Sequence, residues 1–381
     1  MKRPAVHPAH SRLRIAAGTV GGTSLADGRR AFRQLPHAQQ IALAEEIVAA
    51  RRAELALGRS GVCSIGVGLR RRRDVYGRIR VTRSVCIVFV VRRKWPKRAR
   101  CTHPLRVPEH LWTAVGPMHA RTWCAVPTDV MPQAPFRRWR PQAQANVSAQ
   151  RNAVEAIGTL ACLVKGVGSG RTYALGCKHV LSGTEFLSGS SAWNVIATGG
   201  GAVLGRGSVH AAAMTAGGLS LDAQLAVLTD PTAAKATLAP LRFDAARPVA
   251  LEPADIRLLA TFYVHRPGRG DRAPAKATCV SFHYDDFELD YAEAALSATR
   301  IPIRHETLVE YVTAAGTFPG MSGAPVTSRR DGGMFLGMHI AGDGTTGCFV
   351  PAWLLLDGSA YGLPGRTFAP ADATPAAPLP D

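Results

Sequence analysis

Apolar positions in the first third of the chain follow two different periods. In residues 36–57 they mark one helical face, through Ile47, Val48 and Leu55, and this pattern predicts an α-helix. The segments 61–69 and 78–91 are instead rich in β-branched residues, which is typical of strands. A helix followed by a few strands predicts a small α+β domain over residues 35–130.

Beyond residue 150 the pattern changes to short apolar runs separated by glycine-rich turns. Such runs predict antiparallel barrels or a sandwich, and we place this second domain at residues 151–363. Prolines within residues 131–150 predict a linker between the two domains. We expect the aperiodic residues 1–34 to be disordered and the Pro/Ala-rich residues 364–381 to form a flexible tail.

The apolar runs are too short to cross a membrane. The longest, residues 85–91, has the length of a strand, whereas a transmembrane helix needs about 20 apolar residues. The basic N-terminus lacks the apolar stretch of a signal peptide, so we expect a soluble, cytoplasmic chain without a membrane partner. The eight cysteines are scattered and form no Cys-x-x-Cys pair. We therefore expect reduced thiols, no metal site and no cofactor.

Basic residues give the chain a formal net charge of +19, and they are concentrated in one block. The segment Arg70–Arg100 contains 13 lysines and arginines and a single acid, Asp74. Such a block is suited to nucleic acid or to an acidic partner. No recognition helix or zinc-finger pattern accompanies it, and the alternative is a solvated basic surface.

The segment Phe318–Pro325, with the sequence FPGMSGAP, has the composition of a loop that presents a nucleophile. A serine needs a base to take its proton, an acid to orient the base, and donors for the developing oxyanion. Gly320 can adopt a backbone conformation that directs its N–H beside the N–H of Ser322. The sequence therefore predicts Ser322 as nucleophile, with Gly320 and Ser322 forming an oxyanion hole.

Two upstream residues supply the remaining groups in the required order. His179 follows an apolar strand, and Asp222 precedes another one at residues 223–228. The separations are 222 − 179 = 43 and 322 − 222 = 100 residues. We interpret His179 as the general base, Asp222 as its orienting acid and Asp230 as the alternative acid.

This constellation resembles the chymotrypsin/trypsin-like serine peptidase clan, over about residues 153–363. The resemblance implies a mainly β fold, with two six-stranded antiparallel β-barrels of trypsin-like type preceded by the small α+β domain. It also implies endopeptidase activity on protein or peptide substrates through an acyl-enzyme. The leading segment 61–110 is similar to the small module of certain bacterial and plant trypsin-like proteins, including relatives of the plant narrow-leaf regulator.

Two departures from the clan's pattern refine this expectation. Secreted trypsins have an aspartate before the serine, which pairs with a new N-terminus on activation; Met321 stands here, so that route is not expected. Lys178 replaces the usual small residue before the histidine. Thr317 and His339 match positions where relatives bind a Glu or Gln side chain, and this match predicts a preference for those residues before the scissile bond.

Two other classes of protein compete with the peptidase. An α/β-hydrolase would need an acid and a histidine after the serine. The only histidine after Ser322 is His339, with Asp331 eight residues before it on the same hairpin, and this arrangement cannot build a triad across the usual span of strands. The second alternative is a catalytically inert barrel that binds a partner or nucleic acid through the 70–100 block. The presence of all three triad residue types argues against it.

Overall fold

The protein is mainly β. The structure, a computed structural model, describes residues 19–56, 61–73, 79–92, 107–117, 120–132, 147–151, 154–167, 171–182, 194–197, 201–212, 218–238, 241–244, 246–267, 274–292 and 300–371. These residues divide into two compact units, of which the first comprises residues 1–133 with 280–284 and the second the rest of the chain. No helix in this described part is long and apolar enough to span a membrane.

The first unit is a small sheet with two helices. Its elements are α1 (Leu25–Gln34), α2 (His37–Ala56), β1 (Val62–Arg73), β2 (Ile79–Val91), β3 (His110–Val115) and β4 (Thr122–Pro132). The strand order is β1-β2-β4-β3. Residues Val280–Tyr284 extend this sheet beside β1, where Gly66 pairs with His283. The buried ring of His283 is held between the hydroxyls of Ser64, at 2.9 Å, and Ser281, at 3.1 Å.

Helix α1 lies in the segment expected to be disordered, so that expectation is wrong for residues 25–34. Ser24 caps the helix by accepting a hydrogen bond from the backbone N–H of Asp27. The helix buries Phe32 and Gly28, and a methyl group at Gly28 would lie 2.4 Å from the indole of Trp112. The helix is short and mostly polar, and only one of its large side chains is buried, so its apolar face is easily overlooked in the sequence.

The second unit begins with an open sheet of eight strands. They are β5 (Val147–Arg151), β6 (Val154–Gly158), β7 (Leu160–Gly166), β8 (Thr172–Gly176), β9 (Asn194–Ala197), β10 (Val203–Ala211), β12 (Gln224–Leu228) and β20 (Phe368–Pro370). Their order is β20-β7-β8-β12-β10-β9-β5-β6. Strand β20 lies within residues 364–381, which were expected to form a flexible tail. That expectation is therefore wrong for residues 368–370. The buried ring of Phe368 explains its order, because it packs edge-on against Tyr173 and Tyr361.

Six further strands of the second unit pair in a closed ring. They are β14 (Thr261–Val264), β15 (Ala275–Ala292), β16 (Arg300–Val312), β17 (Pro325–Arg329), β18 (Gly332–Gly342) and β19 (Thr346–Pro351). Their order is β16-β19-β18-β17-β14-β15, and β15 pairs again with β16. Tyr311, Phe262 and Phe349 pack together inside, with ring centroids 5.4–6.3 Å apart. The mainly β class is thus confirmed, and the strand pairings among described residues close one ring of six rather than two.

Short elements lie between the strands of this unit along the chain. They are β11 (Leu219–Ser220), β13 (Arg242–Phe243), α3 (Lys178–Leu181), α4 (Pro231–Thr237) and α5 (Ala352–Leu355), with 3-10 turns at Pro253–Asp255 and Gly358–Tyr361. Strand β11 pairs in parallel with β16, so that Ser220 lies opposite His305. This pairing brings the segment before Asp222 against the six-stranded ring.

Candidate active site

His179 and Asp222 are joined by two hydrogen bonds. His179 lies in the short helix α3, immediately after β8, and Asp222 lies between β11 and β12. The backbone N–H of His179 donates to one carboxylate oxygen of Asp222 at 3.0 Å, and the ring Nδ1 contacts the other oxygen. These two bonds fix both the main chain and the ring of His179 against one acid. The imidazole remains 26% exposed, whereas the carboxylate is fully buried.

The environment of Asp222 favours its ionised form. Burial alone would raise the pKa of this carboxyl, but the charge of His179 and the two hydrogen bonds outweigh burial, and the pKa lies below its ordinary value. Asp230, the alternative acid, is exposed and caps α4 by accepting from the N–H of Ala233 at 2.8 Å. Asp222 is therefore the acid that orients His179.

The serine loop is held by the strand edge before β7. The hydroxyl of Thr159 donates to the carbonyl of Gly320 at 2.6 Å, and its N–H donates to the carbonyl of Ser322 at 2.8 Å. Gly320 and Gly323 have φ values of +87° and +96°. A methyl group at Gly323 would lie 1.7 Å from the carbonyl oxygen of Thr159, so only glycine fits there.

Met321 stabilises this loop from inside. Its side chain is fully buried, and its sulfur accepts the backbone N–H of Phe318 at 3.4 Å. The loop is thus formed without a buried carboxylate that would need a cationic partner.

Ser322 and His179 lie on segments that share the same neighbours. The N–H of Gly323 donates to the carbonyl of His339 at 2.7 Å, and the thiol of Cys177 donates to the same carbonyl at 3.5 Å. A methyl group at Gly158 would lie 2.6 Å from the side chain of Val180 and 2.8 Å from the carbonyl of Ser322. The structure therefore brings the serine loop and the segment carrying His179 together.

The hydroxyl of Ser322 donates to the carbonyl of Ile340 at 3.3 Å and not to His179. Hydrogen bonds of catalytic groups are often long or misdirected before substrate binds. The backbone N–H groups of Gly320 and Ser322 have no acceptor among the described residues. Both are thus free to meet an oxyanion.

The two residues expected to bind substrate, Thr317 and His339, are buried and have internal partners. The hydroxyl of Thr317 accepts the N–H of Gly344 at 2.9 Å and donates to the carbonyl of Thr346 at 3.4 Å. Nδ1 of His339 lies 2.9 Å from the hydroxyl of Tyr311, and the imidazole also bonds to the backbone of Cys348. Burial lowers the pKa of His339 to about 3, so the ring is neutral.

Four residues that the sequence did not single out as site residues lie near the predicted ones: three near His179 and Asp222, and one, Tyr311, beside His339. The ligand atoms of Cys177, His179 and Asp222 lie within 4.8 Å of one another, a spacing that a metal ion could use. Hydrogen bonds already join His179 to Asp222 and engage the Cys177 thiol, and burial raises the pKa of that thiol well above its ordinary value. We therefore interpret Cys177 as an inert buried thiol. The others are Lys178, His305 and Tyr311.

The basic block is only partly described, because residues 74–78 and 93–100 lie outside the described residues. Its described part is the β1–β2 hairpin, in which Arg72 pairs with Arg80. Both arginines are exposed. This surface has the charge expected for an acidic partner, and nothing else in it indicates one.

Comparison with known proteins assigns no function to this site. No protein-family model matches the chain, and no curated protein matches it significantly. The assignment of a function thus depends on the residues described above.

Proposed function

We propose that the protein is a serine endopeptidase of trypsin-like type, with His179, Asp222 and Ser322 as its catalytic triad. The observation that supports this proposal most strongly is the doubly hydrogen-bonded pair of His179 and Asp222, with the acid buried and the imidazole accessible. A buried carboxylate that bonds Nδ1 leaves Nε2 as the basic nitrogen. That nitrogen is the one that a serine peptidase uses.

In the proposed reaction, Ser322 attacks the carbonyl carbon of a peptide bond while Nε2 of His179 takes the hydroxyl proton. The N–H groups of Gly320 and Ser322 donate to the oxygen that becomes negative. The imidazolium then protonates the leaving amine, which departs and leaves an acyl-enzyme on Ser322. A water molecule, deprotonated by His179, hydrolyses this ester and restores the serine.

The proposed fold of the peptidase unit is the two-barrel fold. One ring of six strands supplies the serine loop, between β16 and β17, and the eight-stranded sheet carries His179 and Asp222. Placing the nucleophile and the base on different sheets is what the two-barrel fold requires. The open sheet would be the first barrel, with its closure outside the pairings described.

A preference for Glu or Gln before the scissile bond depends on His339. A neutral imidazole has one N–H, and in this structure the backbone of Cys348 is its acceptor while the Tyr311 hydroxyl faces Nδ1. A substrate side chain would have to replace Cys348 as that acceptor. Because the ring carries no positive charge, an amide oxygen suits it better than a carboxylate, and we propose Gln over Glu.

A fluorophosphonate probe tests the proposed nucleophile directly, because it reacts only with an activated serine. We expect the wild-type protein to be labelled, Ser322→Ala and His179→Ala to lose labelling, and Ser328→Ala to be labelled normally. Ser328 is a matched control, since its hydroxyl accepts the N–H of Met334 on a neighbouring strand. Absence of labelling in folded wild-type protein, or labelling that survives in Ser322→Ala, would reject the proposal and favour an inert binding module.

A further inference from the structure

The peptide group between Gly320 and Met321 lies between the two N–H groups of the proposed oxyanion hole, so its orientation sets their relative direction. Gly320 restricts this orientation little, because it has a φ of +87° and no side chain. Within the serine loop, the N–H of Met321 donates to the carbonyl of Phe318 at 3.3 Å, which is long for a bond of this type. The carbonyl side of the same peptide is held from outside the loop.

Thr159 is the residue that holds it. Thr159 lies between β6 and β7 and is only 2% exposed. Its hydroxyl donates to the carbonyl of Gly320 at 2.6 Å, at the short end of the range for a hydroxyl donor. Its backbone N–H donates to the carbonyl of Ser322 at 2.8 Å. Thr159 therefore fixes the peptide groups on both sides of the one that carries the N–H of Ser322.

That middle peptide group, between Met321 and Ser322, is oriented by a bond inside the loop. The carbonyl of Met321 accepts the N–H of Ala324 at 2.7 Å. In a trans peptide the N–H points opposite to the carbonyl, so the N–H of Ser322 points away from Ala324. One bond inside the loop and two bonds from Thr159 thus set three successive peptide groups.

We propose that Thr159 is a positioning residue of the oxyanion hole, whose hydroxyl holds the Gly320–Met321 peptide so that both N–H groups face one oxygen. This inference rests on the proposed function, which gives those N–H groups their role. Without the hydroxyl, the buried carbonyl of Gly320 loses its donor, and an unsatisfied buried carbonyl favours a turn of the peptide toward another donor. Such a turn changes the angle between the two N–H groups, whereas catalysis needs them aligned beforehand.

Three variants separate the hydroxyl from the rest of the side chain. Thr159→Val keeps nearly the same shape and removes the hydroxyl, whereas Thr159→Ser keeps the hydroxyl and removes the methyl group. Thr128→Val is the matched control in β4. Thr128 is also buried, and it donates through both its hydroxyl and its N–H to backbone carbonyls, those of Pro108 and Glu109.

The readouts are the rate of fluorophosphonate labelling, and kcat and KM for the best library peptide. We expect Thr159→Val to lower the labelling rate and kcat about tenfold, which corresponds to about 1.4 kcal/mol, the net value of roughly one hydrogen bond. KM should stay within about twofold, because the oxyanion forms only in the transition state. Thr159→Ser and Thr128→Val should keep both rates within about threefold of wild type, even where urea unfolding shows a loss of stability.

Three outcomes would overturn the inference. They are wild-type rates in folded Thr159→Val, a loss in Thr159→Ser equal to that in Thr159→Val, and an equal loss in Thr128→Val. If Thr159→Val does not fold, comparison of Thr159→Ala with Thr159→Ser decides the same question, since only serine keeps the hydroxyl.

A spectroscopic readout separates this inference from the peptidase itself. The carbonyl carbon signal of Gly320 in full-length Ser322→Ala protein does not depend on activity. We expect it to move when Thr159→Val is added, because the carbonyl loses its donor, and to stay near its position when Thr159→Ser is added. Absence of labelling in wild type would reject the peptidase, whereas an unchanged Gly320 signal in Thr159→Val would reject the role of Thr159.

Discussion

Replacing Asp222 by asparagine exchanges one carboxylate oxygen of the proposed triad for an NH₂ group. The carboxylate accepts two hydrogen bonds, one from the backbone N–H of His179 and one from Nδ1. An amide has a single oxygen, and when that oxygen keeps accepting the backbone N–H of His179, the amide NH₂ comes to face Nδ1. The imidazole must then carry its proton on Nε2, where it cannot accept the proton of Ser322.

The size of the effect follows from losing both the correct tautomer and the charge that stabilises the imidazolium. We expect kcat/KM to fall by about four orders of magnitude, which corresponds to about 5 kcal/mol of transition-state stabilisation. The kcat/KM values of Ser322→Ala and His179→Ala should fall somewhat further, because these changes remove the reacting groups themselves. The variant should still fold, since the amide fills the same volume, but it should be less stable at neutral pH because the folded state favours the ionised carboxyl.

The assay is cleavage of a peptide library, with kcat/KM measured for the best substrate it reveals. Asp230→Asn is the matched control, because it makes the same exchange at the exposed cap of α4. Its kcat/KM should stay within about threefold of wild type. A larger loss at Asp230 than at Asp222, or full activity of Asp222→Asn with correct folding, would refute the assignment of the acid.

Two further predictions concern buried histidines. Burial lowers the pKa values of His265 and His305 to about 4 and that of His339 to about 3. The unfolded chain therefore takes up their protons near pH 6.5, whereas the folded chain does not. The stability that is present above about pH 6.5 is lost as the pH falls toward 4. Urea unfolding should show a fall of roughly 1.4 kcal/mol per pH unit for each histidine, and His265→Gln should reduce the slope by one proton; an unchanged slope would contradict this. Library profiling should show cleavage after Gln more than after Glu, and His339→Ala should remove that preference while other substrates are still cut. A profile that does not change in this variant would mean that His339 serves only to bond Tyr311 and Cys348.

The sequence could propose the residues of the site but not their surroundings. Ser322, His179 and Asp222 were proposed from residue type and order, because a serine nucleophile needs those types, and of these three the structure joins His179 to Asp222 by hydrogen bonds. The hydrogen-bond partner of the Lys178 ammonium was not predictable from the sequence, since it depends on where Ala212, the residue after β10, lies. His305 approaches Asp222 through the pairing of β11 with β16, across 305 − 222 = 83 residues, and no local pattern encodes that pairing.

Two elements of the fold were not predicted because few apolar residues mark them in the sequence. Helix α1 and strand β20 each depend on one buried aromatic residue, Phe32 and Phe368. A mostly polar helix of 10 residues and a strand of 3 residues contain too few apolar positions to be recognised from their pattern. The mainly β class could be predicted from the sequence because short apolar runs recur many times beyond residue 150. The number of closed rings depends on long-range pairing and was not encoded locally.

The strand that lies beside β1 comes from residues 280–284, far along the chain. During synthesis, the first unit therefore lacks one strand until the ribosome has added about 150 residues beyond Gln133. Until then β1 has an unpaired edge, which is a template for aggregation. A fragment that ends at Gln133 would keep that edge permanently. Because residues 280–284 belong to the first unit, no single cut in the gene divides the chain into its two units.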